Sequence, residues 1–344
     1  MKKMKFAIIG YGGMGTYHVN GLIPAESDIM EVVGSYDIDP ERQTAAAEYG
    51  LTVYDDLESL LADDEIEAVV IATPNDSHKD LSIKVLESGK HVVCEKPVTM
   101  NTQELDEILA VAERTGKTFM VHQNRRWDPD FLLVQDLFKN EILGDVFHIE
   151  SRVHGANGIP GDWRHEKAPG GGMLLDWGVH LLDQLLWLID SPIADVKVDM
   201  SYILGNEVDD GFLVYLTFEN GVRVHVEVGT TNFIQLPRWY VKGTEGSARI
   251  DDWDLSGEMV VSTGSDSKEK PSPIPAGAGL TKTMAPPVEG MIEKIELPTP
   301  NTDYPPFYRN FYEVVREGAE PIVKNKEVRK VMQLIDAVFL QADA

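Results

Sequence analysis

Residues 170–185, GGGMLLDWGVHLLDQL, set Asp176 and His180 four positions apart in an otherwise apolar run. On a helix that spacing puts a carboxylate and an imidazole on one stripe. An imidazole, whose ordinary pKa lies near neutrality, is the side chain best suited to take or return a proton at pH 7. On a helix starting near Met173 the stripe runs on through Asp183 and Trp187, while leucines, Val179 and Ile189 cover most of the remaining surface. Such a helix is buried on several sides. An unpaired polar group in an apolar interior costs about 1–3 kcal/mol, so the stripe needs partners. Two surroundings supply them: a packed set of internal hydrogen bonds, or a cleft that receives a substrate. The company of two upstream signals favours the cleft. One is the tripeptide Glu95-Lys96-Pro97, and the other is the glycine pattern GYGGMG over residues 10–15.

In that pattern Gly10, Gly12 and Gly15 fit G-x-G-x-x-G, with Tyr11, Gly13 and Met14 between them, directly after an apolar strand and at the start of a helix. Glycine is demanded by a tight turn, by the approach of a pyrophosphate to the backbone, and by close helix-on-strand packing. The helix N-terminus then offers free N–H groups to the phosphates. Asp37 ends the second strand near the offset at which a carboxylate holds the ribose 2′-hydroxyl. It would repel a 2′-phosphate, which favours NAD over NADP, with Arg42 close enough in sequence to temper the preference. Thr73, Pro74, Asn75 and His78 follow a third strand, on the edge where open α/β sheets bind ligands. Taken alone, that segment also reads as a turn capping a helix.

Beside a nicotinamide, these groups describe alcohol oxidation. Hydride leaves the carbon, and the hydroxyl proton needs a base within hydrogen-bond reach. His180 is that base. Asp176 is placed to fix its tautomer and hold a second hydroxyl, and Lys96 supplies positive charge where the oxygen becomes alkoxide-like. In reverse, the same groups protonate a ketone. Arg125, Arg126, His154, Trp163 and Arg164 are further candidates for substrate contact, since aromatic and guanidinium groups suit the faces and hydroxyls of a sugar; Trp127 and Trp163 also suit packing. No metal site is expected, because the nine histidines lack zinc-type local spacings.

These groups must be positioned by two kinds of architecture. Up to about Val121, short β-rich runs (KFAIIG, EVVGSYD, EAVVIAT, KHVVCE, TFMVHQ) alternate with helical segments, including one over Met14–Pro24. That pattern predicts parallel βαβ units, a Rossmann-like domain over residues 1–123. From residue 124 to 344, runs such as HIESRVHG, DVKVDMSYIL, GFLVYLTF and GVRVHVEVG alternate with period two, and Asn220-Gly221 reads as a hairpin turn. They predict a substrate and oligomerisation domain of α/β class, built on a large, mostly antiparallel sheet with one open face. Pairing through that face would give a homodimer or homotetramer. Residues 264–287 read as a surface excursion, a lid or an arm. Helices over Phe307–Glu317 and Glu327–Ala342 end the chain, within a segment, 305–342, expected to pack back on the first domain.

At 344 residues the chain is long enough for two cores. Its net charge of −26 argues against nucleic acid or an anionic membrane as partner. A single cysteine, Cys94, fits a reducing cytoplasm. The opening MKKMKFAIIG reads as a first strand rather than a leader, and no run approaches the roughly 18 apolar residues of a membrane span.

In this order, AIIGYGGMG, ATPNDSH, GKHVVCEKP and GGGMLLDWGVHLLD resemble the Gfo/Idh/MocA oxidoreductases, the glucose-fructose oxidoreductase and inositol dehydrogenase family, over nearly the whole length. The resemblance implies an N-terminal Rossmann domain, a C-terminal α/β domain on a large open sheet, bound NAD or NADP, and sugars, polyols or their derivatives as substrates. It places the family's catalytic lysine, aspartate and histidine on Lys96, Asp176 and His180. Glu95 and Lys96 would line the nicotinamide side, with a cis bond before Pro97. Asn124 and the Arg125-Arg126-Trp127 segment would enter the second domain near cofactor and substrate, and Asp162-Trp163-Arg164 would form a further site element. The expected activity is an NAD(P)-dependent dehydrogenase acting on a ring hydroxyl of a sugar, cyclic polyol or glycoside. Two other outcomes share the fold: NAD-dependent glycoside cleavage, and a sensor that binds dinucleotide and sugar without catalysis.

Overall fold

The apolar run MKFAII forms β1 (Met4–Ile9), buried along nearly its whole length because helices cover both faces of the sheet that it centres. The computed structural model describes residues 2–264, 274–275, 278, 281–282, 290–301 and 303–342. The chain continues through α1 (Gly13–Tyr17), β2 (Met30–Tyr36), α2 (Pro40–Tyr49), β3 (Thr52–Val53), α3 (Leu57–Ala62), β4 (Ala68–Ile71), α4 (His78–Glu87), β5 (His91–Cys94), α5 (Thr102–Thr115) and β6 (Phe119–Val121). The six strands form one parallel sheet in the order β3-β2-β1-β4-β5-β6. This doubly wound order reverses direction beside β1, which opens a crevice at the C-terminal strand ends. β3 and α3 are too short and too polar at their edges to stand out in the sequence. The helix expected over Met14–Pro24 is three pieces: α1, a π turn over His18–Leu22 and a 3₁₀ turn over Pro24–Glu26. Gly21 and Pro24 are both poor residues for a regular helix interior.

The chain then runs through α6 (Pro129–Lys139), β7 (Val146–His154), α7 (Val179–Leu188), β8 (Ile193–Ser201), β9 (Gly211–Phe218), β10 (Arg223–Gly229), β11 (Trp239–Gly243), β12 (Gly246–Ile250), β13 (Gly257–Ser262), the strands β14 (Ile274–Pro275) and β15 (Thr281–Lys282), which pair only with each other, and β16 (Ile292–Ile295). Eight strands order as β16-β13-β12-β11-β7-β10-β9-β8, antiparallel throughout except for the β7–β10 pair. Phe212, Val214, Leu216 and Phe218 of β9 with Val224, Val226 and Val228 of β10 are buried on one face. The alternate positions carry a polar face, where Arg152 pairs with Glu150 and Glu227 and the Tyr215 ring stacks on His225 at 4.6 Å. The expected excursion at 264–287 lies outside the described residues apart from Gly264, 274–275, 278 and 281–282.

The last helices, α8 (Phe307–Glu317) and α9 (Asn325–Ala342), return to the parallel sheet. Tyr308 and Phe311 lie 5.8 and 5.7 Å from the Phe6 ring, and Arg329 of α9 makes two hydrogen bonds to Asp106 of α5. Among the described residues no helix is long and apolar enough to cross a membrane.

Candidate active site

The loop between β1 and α1 closes at positions that leave no room for a side chain. Gly10 has φ +92°, and a Cβ there would lie 2.6 Å from the Ala72 carbonyl oxygen; a Cβ on Gly15 would run into the carbonyl oxygen of Gly10. Between them Gly13 meets open space and Gly12 meets only the tip of Arg42, so the backbone is bare toward the crevice. The residues therefore fit a dinucleotide, whose pyrophosphate needs that bare backbone and the N–H groups opening a helix. Asp37 braces the loop: Oδ2 accepts from the Tyr11 N–H at 2.6 Å and Oδ1 from the Asp39 N–H at 2.8 Å. Tyr11 thus acts through its main chain, with its side chain buried. Arg42 Nη1 stands 3.8 Å from Asp37 Oδ2.

Beyond β4, Thr73 Oγ1 and Ser77 Oγ share a 2.6 Å hydrogen bond, and Asn75 Nδ2 donates to the Gly170 carbonyl at 2.8 Å, tying this loop to the glycine run before Asp176. His78 does not face the cleft. It is fully buried and bridges the Thr73 and Pro97 carbonyls at 2.9 Å each, so it holds the two loops together from behind.

Strand β5 delivers Glu95 and Lys96, and the Lys96–Pro97 bond is cis. Glu95 Oε1 accepts from His18 Nε2 at 2.8 Å and from His122 Nδ1 at 2.7 Å, while the Tyr308 hydroxyl donates to His18 Nδ1 at 2.6 Å. Burial pushes the Glu95 carboxyl up, but the two imidazoles outweigh it and hold it well below the carboxylate range. The local spacing of the histidines concealed this cluster, whose ligand-type atoms lie within 4.8 Å of one another although 77 and 27 residues separate each histidine from Glu95. Its atoms hydrogen-bond to one another, which stiffens the backbone that carries Lys96.

Lys96 Nζ donates to both the carbonyl oxygen and Oδ1 of Asp176, at 3.0 Å each, and Arg164 Nε lies 3.4 Å from the same Oδ1. Burial alone would raise the Asp176 carboxyl; the Lys96 ammonium and the Arg164 guanidinium override it and hold the group below its ordinary value. Asp176 therefore serves Lys96 and Arg164, and no hydrogen bond joins it to His180, contrary to the tautomer-fixing role expected from their spacing. The reason is local. Residues 174–178 form a π turn, in which the Val179 N–H reaches back five residues to the Leu174 carbonyl, before α7 begins. The wider turn breaks the straight stripe. Asp209 caps this turn through its Oδ2, which accepts from the Leu174 N–H at 2.8 Å. Burial drives its carboxyl up to about 7.

His180 is 4% exposed, and its Nδ1 finds no hydrogen-bond partner among the described residues. Burial, then the Lys96 ammonium, then the Arg125 guanidinium push its pKa well below the ordinary value, so the imidazole is neutral at pH 7. The ring contacts Trp177 edge-on at 6.1 Å.

One cleft of ≈ 450 Å³ brings these groups together. Gly12, Gly13, Met14, Arg42 and Thr73–Asn75 line it from the parallel-sheet half, with Glu95 and Lys96; Asn124, Arg125, Asp162, Trp163, Arg164, Asp176, Trp177 and His180 complete it. A groove of ≈ 580 Å³ between the end of α7 and α9 has only Asp190 and Lys330 as ionisable lining and lacks such a constellation.

Two expected substrate contacts lie elsewhere. Arg126 is fully buried: Nε and Nη2 each donate to Asp183 at 2.7 Å, and Nη1 to Glu327 at 2.7 Å and the Ile322 carbonyl at 3.0 Å. It ties α7 to the segment leading into α9, so Asp183 also leaves the supposed polar stripe. His154, at the end of β7, sits 3.2 Å from Glu227 and accepts from the Leu236 N–H at 3.3 Å. It is not among the residues that line the cleft. Trp127 donates to the Pro305 carbonyl at 3.0 Å and packs near Phe307. The sequence reading missed Trp177 as a wall, although it adjoins Asp176, and missed Asp209, whose role depends on a contact 35 residues distant.

The model of the oxidoreductase family with an NAD-binding Rossmann fold matches residues 4–123, and the GFO/IDH/MocA C-terminal domain matches 131–249. The scyllo-inositol 2-dehydrogenase (NADP(+)) IolW of Bacillus subtilis is 28% identical over 98% of this chain and 93% of its own length. The oxidoreductase YdgJ of Escherichia coli is 29% identical over 97% and 94%. The crystal structure of an NAD-binding protein from Listeria innocua is 57% identical, with a TM-score of 0.95 covering 100% of this chain and 98% of that one. The chain belongs to the GFO/IDH/MocA family of NAD-binding oxidoreductases.

Proposed function

We propose that the protein is a dehydrogenase acting between NAD(P) and a ring hydroxyl or ketone of a cyclic polyol, sugar or glycoside. The observation that carries this reading is the double contact of Lys96 Nζ with Asp176 in the same cleft as neutral His180 and the bare glycine loop. When bound, the nicotinamide supplies the acceptor or donor of hydride. Gly12, Gly13 and Met14 would hold its pyrophosphate, Thr73–Asn75, Glu95 and Asn124 its nicotinamide half, and Asp37 its adenosine ribose.

In the oxidising direction, the substrate hydroxyl gives its proton to an imidazole nitrogen of His180. The group is ready for that task because burial and two neighbouring cations keep it unprotonated. The Lys96 ammonium donates to the same oxygen as negative charge grows there, and the Asp176 carboxylate keeps the ammonium in place. In the reducing direction, protonated His180 returns the proton. Arg125, Trp163 and Arg164 bound the remainder of the cleft and meet the other hydroxyls.

NAD is preferred on this reading because Asp37 follows the end of β2, where a carboxylate would repel a 2′-phosphate, although its oxygens also accept from the Tyr11 and Asp39 N–H groups; Arg42 at 3.8 Å moderates the preference. The polar face of the eight-stranded sheet is the surface on which copies would pair, and buried Cys94 suits a cytoplasmic location. The name of the B. subtilis relative makes inositols the first substrates to try. The test mixes the protein with NAD or NADP and a panel of inositols, monosaccharides and glycosides and follows nicotinamide absorbance. Reduced dinucleotide formed in step with an oxidised ring product supports the reading. Glycoside cleavage with no net change in cofactor, or no turnover of any panel member in either direction, refutes it.

A further inference from the structure

A column of alternating cations and indoles runs from the core of the second sheet to the cleft. It begins at Trp239, fully buried, whose Nε1 donates to Asp130 at 2.6 Å. Arg238 lies over Trp239 at 4.7 Å and over Trp253 at 4.6 Å, anchored by Ser151 at 2.8 Å and Asp130 at 3.2 Å. Arg125 then lies over Trp253 at 5.1 Å and over Trp177 at 4.3 Å. The last two members, Arg125 and Trp177, line the cleft. Trp253 does not, yet it is the link on which both arginines stack, and its ring lies 6.1 Å from that of Trp177.

The loop carrying Trp253 is built for presentation. β12 and β13 are antiparallel neighbours joined by residues 251–256, where a two-residue turn would serve. The loop is closed by Asp251 N–H to the Ser256 carbonyl at 2.7 Å, Leu255 N–H to the Asp252 carbonyl at 3.2 Å and Ser256 N–H to Asp254 Oδ1 at 2.9 Å. Leu255 is held at φ +63°, a conformation that a branched apolar residue avoids unless its surroundings impose it. The result is a large indole 41% exposed, in a place where hydrophobic burial does not account for it.

Resting on the dehydrogenase reading above, we propose that Trp253 is a positioning residue of the substrate site: packed against both the Arg125 guanidinium and the Trp177 ring, it holds the two as a fixed wall against a polyhydroxylated ring. A guanidinium that meets two neighbouring indoles at 4.3 and 5.1 Å, and Asp128 Oδ2 at 2.9 Å, is held against swinging into solvent. Such a wall discriminates by ring shape and by the direction of ring hydroxyls. The second sheet, through its 251–256 loop, therefore takes part in substrate choice.

The test compares Trp253→Ala and Trp253→Phe with wild type, using the best cyclic substrate of the panel. In Trp253→Ala, KM for that substrate rises about tenfold, from the loss of a cation–π contact to each arginine. Because Lys96 and His180 are untouched, kcat stays within about threefold and the dinucleotide Kd is unchanged. Trp253→Phe, which keeps a ring for the guanidinium, restores most of the KM. Thermal unfolding of both variants monitors the fold. An unchanged KM in a folded Trp253→Ala overturns the proposal, as does a fall in kcat with no change in KM. A wild-type protein that turns over no ring substrate overturns the dehydrogenase reading instead.

Discussion

Replacing Lys96 with methionine keeps most of the side-chain volume and removes one charge, which makes it the sharpest test of the site. The ammonium makes two 3.0 Å hydrogen bonds to Asp176, and both side chains are mostly buried, at 15% and 17% exposure. Two costs follow. Loss of a charged donor aimed at a developing oxyanion is worth about 3–4 kcal/mol, or roughly 10²–10³ in kcat. Loss of its partner leaves the Asp176 carboxylate with Arg164, 3.4 Å away, so the fold loses only about 1–2 kcal/mol. A further signature separates this from a local collapse. Lys96 is the largest of the charged influences that depress His180, so its removal lets the imidazole pKa rise. The acid limb of the rate profile, below which His180 is protonated and cannot accept a proton, then shifts to higher pH. Steady-state rates across pH, with dinucleotide affinity measured by fluorescence titration, decide the matter. Turnover within about threefold of wild type, or an acid limb that stays in place while the cofactor remains bound, would refute the assignment of Lys96 and His180 to one reacting centre.

Gly15→Ala forces a methyl group against the Gly10 carbonyl; NAD affinity falls by more than tenfold and stability by about 1–3 kcal/mol, read by titration and denaturant melts. Arg126→Met leaves Asp183 buried and unpaired, which costs about 3–5 kcal/mol of stability, with KM unchanged; adding Asp183→Leu recovers much of the loss. A large KM effect would return Arg126 to the substrate site. Asp209→Asn tests a pH effect. Burial raises this carboxyl to about 7, so the native state favours its protonated form. The stability that this preference contributes is full below the unfolded value near 4 and is lost as pH rises to about 7. The asparagine variant therefore unfolds at higher denaturant than wild type at pH 8, by about 2–4 kcal/mol, and matches it near pH 4.

Much of the molecule was legible in one dimension because its signals are local. GYGGMG announces a turn whose glycines are required by contacts within a few residues and by the adjacent β4 edge, and five of the six parallel strands stand out as apolar runs. The parallel βαβ arrangement and the hairpin at Asn220-Gly221 follow from period and turn chemistry. Lys96, Asp176 and His180 could be named as candidates because residue type and motif limit what they can do.

Their partnerships were decided only by the tertiary structure. Arg125 and Arg126 are adjacent in sequence, yet one lines the cleft beside two indoles and the other is locked to Asp183 and Glu327 in the interior. Successive side chains on a short helical turn point about a third of a turn apart, and which direction is core depends on what packs there. Likewise the π turn at 174–178 diverted Asp176 from His180 to Lys96, 80 residues away. Residue types and their periods thus determined the elements and the available chemistry. Which acid meets which base was set by long-range packing, because charge pairing depends on distance in space and a linear spacing of four or eighty carries no such distance until the chain has folded.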